Sequence, residues 1–137
     1  MGIKVAITSD IRKRVNKVTK QYKTRQNRWV DATGSYFRNQ IALMMTTSPA
    51  TGNEYERGKK IHIASSKGNP PRVDTGVLRT SIQYKRVRQG EGIVTTNVNY
   101  AEKLETKMDR PFMGKRSKAY RNTKIFGKMF AKNIGLR

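Results

Sequence analysis

The chain has no cysteine, a single histidine and only nine acidic residues among 137. Without cysteine there is no disulfide framework and no cysteine-ligated zinc site. The histidine, His62, alternates with Ile61 and Ile63 and has few acids near it. It reads as a strand histidine on a polar face, not as one member of a metal-ligand set. No apolar run approaches the length of a membrane span. The opening "MGIKVAITSD" lacks the apolar core of a secretory signal, so neither a signal peptide nor a membrane partner is expected. The shortage of acids stands against 30 lysines and arginines and leaves a net charge of +21. That is far more than solubility requires. It repels copies of the chain and draws polyanions, so nucleic acid or an acidic protein surface is the natural neighbour.

The length fits one domain, 1–137, large enough to bury a core without staples. "IKVAI" at residues 3–7 reads as a short strand, and Ser9 or Asp10 can cap the helix that follows. Ile11, Val15, Val18, Tyr22, Trp29, Ala32 and Tyr36 recur at spacings of four and three, with Arg25 in the one gap. They form one stripe along a helix, and a second face adds Val30, Phe37, Ile41, Met44 and Met45. One helix from about residue 10 to 46 would be roughly 55 Å long. Its N-terminal half would then pack on something outside its own domain, a neighbouring subunit being the simple candidate. Two shorter helices broken near Gly34 fit the pattern equally well.

Residues 47–73 are rich in Gly, Pro, Ser, Thr and Asn and read as an extended loop or arm that buries little. "NEYERGKKIHIA" within them can form a hairpin turning at Gly58. "SIQYKRVR", the turn "QGEG" and "GIVTTNVNY" read as an antiparallel pair. "YAEKLE" fits one or two helical turns, with Glu102 and Glu105 as a solvated pair. "DRPFMGKR" reads as a loop with one aromatic anchor, and residues 116–134 as a basic amphipathic helix inside a basic C-terminal segment, 113–137. The first helix up to Arg28 and the segment from Lys107 onward together hold 18 of the 30 basic residues, so the charge forms faces.

Asp74-Thr75-Gly76 matches the triplet of aspartic proteases, but that chemistry needs two carboxylates sharing a proton. The chain is too short for two lobes, and a dimeric protease would flank the triplet with apolar strand residues. Here "PPRV" precedes it and "VLRTSI" follows. Asp74 is therefore expected to cap a short turn, Gly76 to permit it, and Leu78 and Ile82 to anchor the next strand. Ser65, Ser66 and Ser81 have no paired base in a recognisable spacing. No catalysis and no cofactor are expected. The fold class these elements predict is α+β: a small antiparallel sheet packed on a long N-terminal helix, with a loop or hairpin arm and a C-terminal helix.

One long segment carries a family resemblance. "TGNEYERGKKIHIASSKGNPPRVDTGVLRTSI" closely resembles a segment of the head–tail joining proteins of tailed bacteriophages, variously called neck, minor tail, tail-completion or tail-terminator proteins. The shared pattern falls on Ser65, Gly68, Pro71, Val73, Asp74, Thr75, Gly76, Leu78, Arg79, Ser81 and Ile82. A second signature falls on Tyr100, Glu105, Arg110, Pro111 and Phe112. Members of that family often carry Glu-x-Gly-Thr after the tyrosine, whereas this chain has "ETKMDRPFM", so the turn here is expected to differ. The resemblance implies a structural virion protein, assembled in the host cytoplasm, that forms a ring in the neck between portal and tail tube. A hexamer is favoured over a dodecamer. Adjacent neck or connector rings and tail-tube proteins are the implied partners, with DNA passing through the channel. Arg79 is then the expected inter-subunit contact. Arg12, Lys13, Lys17, Lys20, Lys115, Arg116, Lys118 and Arg121 are the expected contacts to DNA, read without sequence specificity, or to an acidic partner. A sequence-nonspecific DNA-binding protein is the alternative.

Overall fold

The computed structural model describes residues 9–114. The strand expected at 3–7 and the basic helix expected at 116–134, with Lys115, Arg116, Lys118 and Arg121, lie outside the described residues. Within them the chain runs α1 (Ser9–Thr46), β1 (Glu54–Arg57), β2 (Lys60–Ile63), α2 (Val77–Ser81), β3 (Gln83–Arg88), β4 (Glu91–Thr95) and α3 (Ala101–Thr106). The class is α+β, as the sequence pattern predicts. The strands form two separate antiparallel hairpins, β1–β2 and β3–β4, and not one sheet. The second hairpin is also shorter than its apolar pattern: Ser81 ends α2 instead of opening a strand, and β4 stops at Thr95.

The first helix is continuous over 38 residues, through Gly34. Near its end Thr46 and Thr47 return their hydroxyls to the carbonyls of Ala42 and Leu43, and Pro49 forbids another turn. Its two apolar faces have different fates. Val30, Ile41 and Met45 are buried. Ile41 and Met45 join Ile82, Ala101 and Phe112 in the core, with Phe37, Val73, Leu78, Val94 and Leu104 packed around them. The other stripe lies roughly 110° around the helix at 3.6 residues per turn. Its N-terminal members Ile11, Val15, Val18 and Tyr22 are all more than half exposed.

The middle of α1 is tied to the β3–β4 hairpin by one polar cluster. Tyr84 Oη donates to Asp31 Oδ1 at 2.8 Å, and Arg86 grips both carboxylate oxygens through Nε and Nη2. At the hairpin tip Asn27 accepts from the Gly90 amide, and Gln89 donates to the Lys23 carbonyl. The hydrogen bonds from Arg86 hold the Asp31 carboxyl below the usual carboxylate range, while burial and then the Asp31 contact push the Tyr84 phenol up. A depressed native carboxyl stabilises the fold above its unfolded value, near about 3.9. That contribution disappears as pH falls through the lower native value. Asp31→Asn is therefore expected to melt below wild type at neutral pH, with the gap narrowing once the pH is taken below the ordinary carboxylate value of about 3.9. Melts of both proteins at neutral pH and below that value check this, and an equal gap at both would rule it out. The effect is modest, because the Arg86 and Asp31 side chains are 42% and 38% exposed and the pair is screened by solvent.

The segment 47–73 is less loose than its composition implies. Ser48 and Ser65 are buried, and the Ser48 hydroxyl donates to the Pro70 carbonyl. Backbone bonds join Gly52 to Ala64, Ala64 to Asn53, Gly68 to Asp109 and Val73 to Met45. Only the hairpin at its centre stands out: every residue of β1 is exposed.

Candidate functional site

The two sequence signatures converge on one cavity of about 490 Å³ beside the C-terminal end of α1. Pro71, Asp74, Thr75, Gly76, Leu78 and Arg79 line it from the first signature, and Tyr100 and Arg110 from the second. Met45, Leu104 and Met108 add apolar wall, and Arg57 and His62 reach in from the hairpin. Ser81, Glu105, Pro111 and Phe112 are not in its lining. They hold the elements behind it.

Asp74 does not cap α2. The N-cap is Gly76, at φ 85°, with no side-chain cap bond, and this left-handed backbone is the reason a glycine is needed there. The Asp74 carboxylate instead turns toward the hairpin, accepts from Arg57 Nε at 2.9 Å and lies 3.8 Å from His62 Nδ1. It ties the arm to the motif turn. Arg72 adds a second tie through the Ile63 carbonyl.

Arg79 is not the free surface charge its position implied. It is half-buried and its Nη1 donates to Thr46 Oγ1 at 3.2 Å, locking α2 to the end of α1. Ser81 closes the turn through the Leu78 carbonyl and shares a 2.6 Å contact with Thr96 Oγ1. Ile82 is fully buried, and Leu78 packs against the core. Arg110 presents a buried Nε that has no hydrogen-bond partner among the described residues. With Arg57 engaged by Asp74, the cavity keeps an excess of guanidinium charge from Arg72, Arg79 and Arg110 around an apolar floor.

Behind the cavity, Glu105 is not a solvated acid. Its Oε2 accepts from the amides of Phe112 and Met113 at 2.8 and 3.1 Å, and its Oε1 from that of Gly114 at 3.0 Å. The turn that leads there lacks the glycine that head–tail joining proteins often carry. Asp109 takes the left-handed conformation instead, at φ 51°, which Asp tolerates better than most residues. The carbonyl of Asp109 accepts from Gly68 and the amide of Arg110 donates to Leu104. This carboxylate-to-amide nest was invisible to periodicity, because its acceptor and donors lie seven to nine residues apart on either side of a turn.

The basic candidates sit elsewhere. Arg12, Lys13, Lys17 and Lys20 are all exposed on the N-terminal half of α1, far from the cavity. Lys13, Lys17 and Lys20 share one face by their i, i+4, i+7 spacing, and Arg12 lies to its side. This half of α1 thus combines an uncovered apolar seam with a basic surface. Among the described residues no group of three or more His, Cys, Asp or Glu is placed to hold a metal ion. No described helix is long and apolar enough to cross a membrane. No protein-family model, curated protein or solved structure matches the chain.

Proposed function

We propose that the chain is a structural subunit of a phage virion, a ring in the neck between the portal and the tail tube, acting as a tail terminator or head–tail connector. Its role is assembly, not catalysis. The carrying observation is α1. A 38-residue helix, about 57 Å long, is packed by the other described residues from about Lys23 to its C-terminal end. Four large apolar side chains before that point face solvent. An isolated protein gains nothing from such a seam, whereas a subunit completed by its neighbours does. The resemblance of Ser65–Ile82 and Tyr100–Phe112 to head–tail joining proteins supports the same reading. So does the cavity on which both segments meet, whose apolar floor and guanidinium rim suit an acidic partner segment.

In a ring each subunit presents two different surfaces to its two neighbours, and rotation closes the set. DNA sliding through the lumen calls for diffuse phosphate contacts, which the exposed lysines and arginines of α1 can supply without base reading. Native mass measurement of the chain with its adjacent ring proteins is expected to give a closed oligomer, a hexamer before a dodecamer. A strict monomer under those conditions overturns the reading.

The alternative, a sequence-nonspecific DNA-binding protein, is favoured by the eight basic residues between Arg12 and Arg28. It requires tight duplex binding by the isolated chain, with log K falling steeply as log salt rises. It leaves the apolar seam on the same helix without a purpose.

A further inference from the structure

The seam on α1 has a specific chemistry. Its spacing of four and three runs from Ile11 through Val15 and Val18 to Tyr22, the pattern of a helix packed lengthwise on a partner. Arg12 and Arg14 flank it, and Asp10 is the only acid up to Arg28. The same half-helix of a second copy is therefore a poor occupant, since like charges would face each other. Residues 115–137 are equally unsuited, because they carry eight lysines and arginines and no acid. The occupant must bring carboxylates beside an apolar side chain.

The β1–β2 hairpin offers such a surface. In the β1–β2 hairpin Glu56 pairs with Ile61 and Glu54 with Ile63, and cross-strand partners project to the same side. Ile61 is 67% exposed. Neither Glu54 nor Glu56 is in an ion pair among the described residues. Asp31, Asp74 and Glu91 are all paired, and Glu105 is taken by backbone amides. A two-stranded hairpin is marginal alone, and one whose Glu54, Glu56 and Ile61 lie in water gains from being covered. Its strands span about 13 Å, close to the roughly 16 Å from Ile11 to Tyr22 along the helix.

We propose that the Glu54–Glu56–Ile61 face of the β1–β2 hairpin seats on the Ile11–Tyr22 seam of α1 in the neighbouring copy. Ile61 packs among Val15 and Val18, and the two glutamates meet Arg12 and Arg14. The contact cannot form within one chain. Tyr55, Arg57 and His62 place the hairpin beside Met45, and Tyr22 lies roughly 35 Å further along the helix. Because the two surfaces differ, each copy gives one and receives one, as a ring requires. The proposal rests on the ring reading and adds the contact that builds it.

The cysteine-free chain allows a direct test. Ile61→Cys mixed with Val15→Cys is expected to give a crosslinked dimer under mild oxidation, and neither variant alone should do so. A chain carrying both substitutions should give a ladder of multimers. Val87→Cys, exposed on β3, serves as the control partner. Glu54→Lys with Glu56→Lys should weaken association about tenfold or more, equivalent to roughly 1.4 kcal/mol. Mixing it with Arg12→Glu, Arg14→Glu should restore association. If wild type assembles but Ile61→Cys links to Val15→Cys no better than to Val87→Cys, the contact is overturned and the ring reading stands. A seam that crosslinks only to another virion protein has the same consequence. If wild type stays monomeric beside its partner rings, both fall.

Discussion

Glu105→Ala is expected to destabilise the protein by about 3 kcal/mol, because it strips the acceptor from three backbone amides at once. Each part-buried amide left without a partner costs about 1 kcal/mol or more, and hydrogen bonds to a charged acceptor lie at the upper end of the range. At roughly 4 °C per kcal/mol for a chain of this size, the melting temperature should fall by about 12 °C. The damage is not confined to the turn. The same amides position Phe112, which is 1% exposed and sits in the core against Ile41, Met45 and Ile82. Glu105→Gln keeps one acceptor oxygen and should lose less. Glu105→Asp is one methylene short of reaching all three amides and should resemble the alanine variant. Thermal melts rank the three, and hydrogen exchange at the Phe112–Gly114 amides should accelerate in the same order. A Glu105→Ala protein melting within a degree of wild type would show that the nest holds nothing.

The helical period of residues 10–46, the β1–β2 hairpin, the turn at Gly90 and the short α3 were legible in the sequence because each is encoded locally: by a 3.6-residue period, by alternation, or by glycine between strand formers, whereas the continuity of the helix through Gly34 was not. The burial of Ile82 and Phe112 followed from apolar side chains placed beside turn residues. The polar side chains were not legible. Asp74 reads as a capping residue, three positions before α2, yet the N-cap is Gly76 and the Asp74 carboxylate is claimed by Arg57 from a hairpin 17 residues upstream. Arg79 is expected to reach a neighbouring subunit, but the end of α1, 33 residues earlier, supplies Thr46 as its partner. Asp31 was unremarked on a basic helix, although Tyr84 and Arg86 reach it from more than 50 residues away. Contacts made across such separations leave no periodic trace in the sequence. The two apolar faces of α1 were both legible as faces. Which of them is buried depends on where β3, β4 and α3 fold back, and that is a tertiary fact.

Gly34→Ala should destabilise the protein by about 2 kcal/mol, against the helix propensity that favours alanine over glycine by about 1 kcal/mol in a helix interior. A Cβ at position 34 falls 2.1 Å from Tyr84 Cδ2 and 2.2 Å from Cε2, well inside contact distance. The Tyr84 ring is also held from elsewhere. On its other side it lies against Gly92, where a Cβ would come within 2.5 Å of Cε2, and its hydroxyl is fixed on Asp31 at 2.8 Å. Tyr84 is therefore clasped between the helix and β4, and any side chain at position 34 forces it off Asp31 and opens the α1–β3 junction. The two effects separate in a double-mutant cycle. In a Tyr84→Ala background the clash is gone, so only propensity remains, and Gly34→Ala should there become neutral or stabilising by up to about 1 kcal/mol. Denaturant melts of the four proteins measure both legs. If Gly34→Ala raises the midpoint in the wild-type background, the clasp does not exist and the glycine is incidental. If its effect reverses sign between the two backgrounds, the helix runs unbroken through a glycine because the Tyr84 ring needs the space a Cβ would fill.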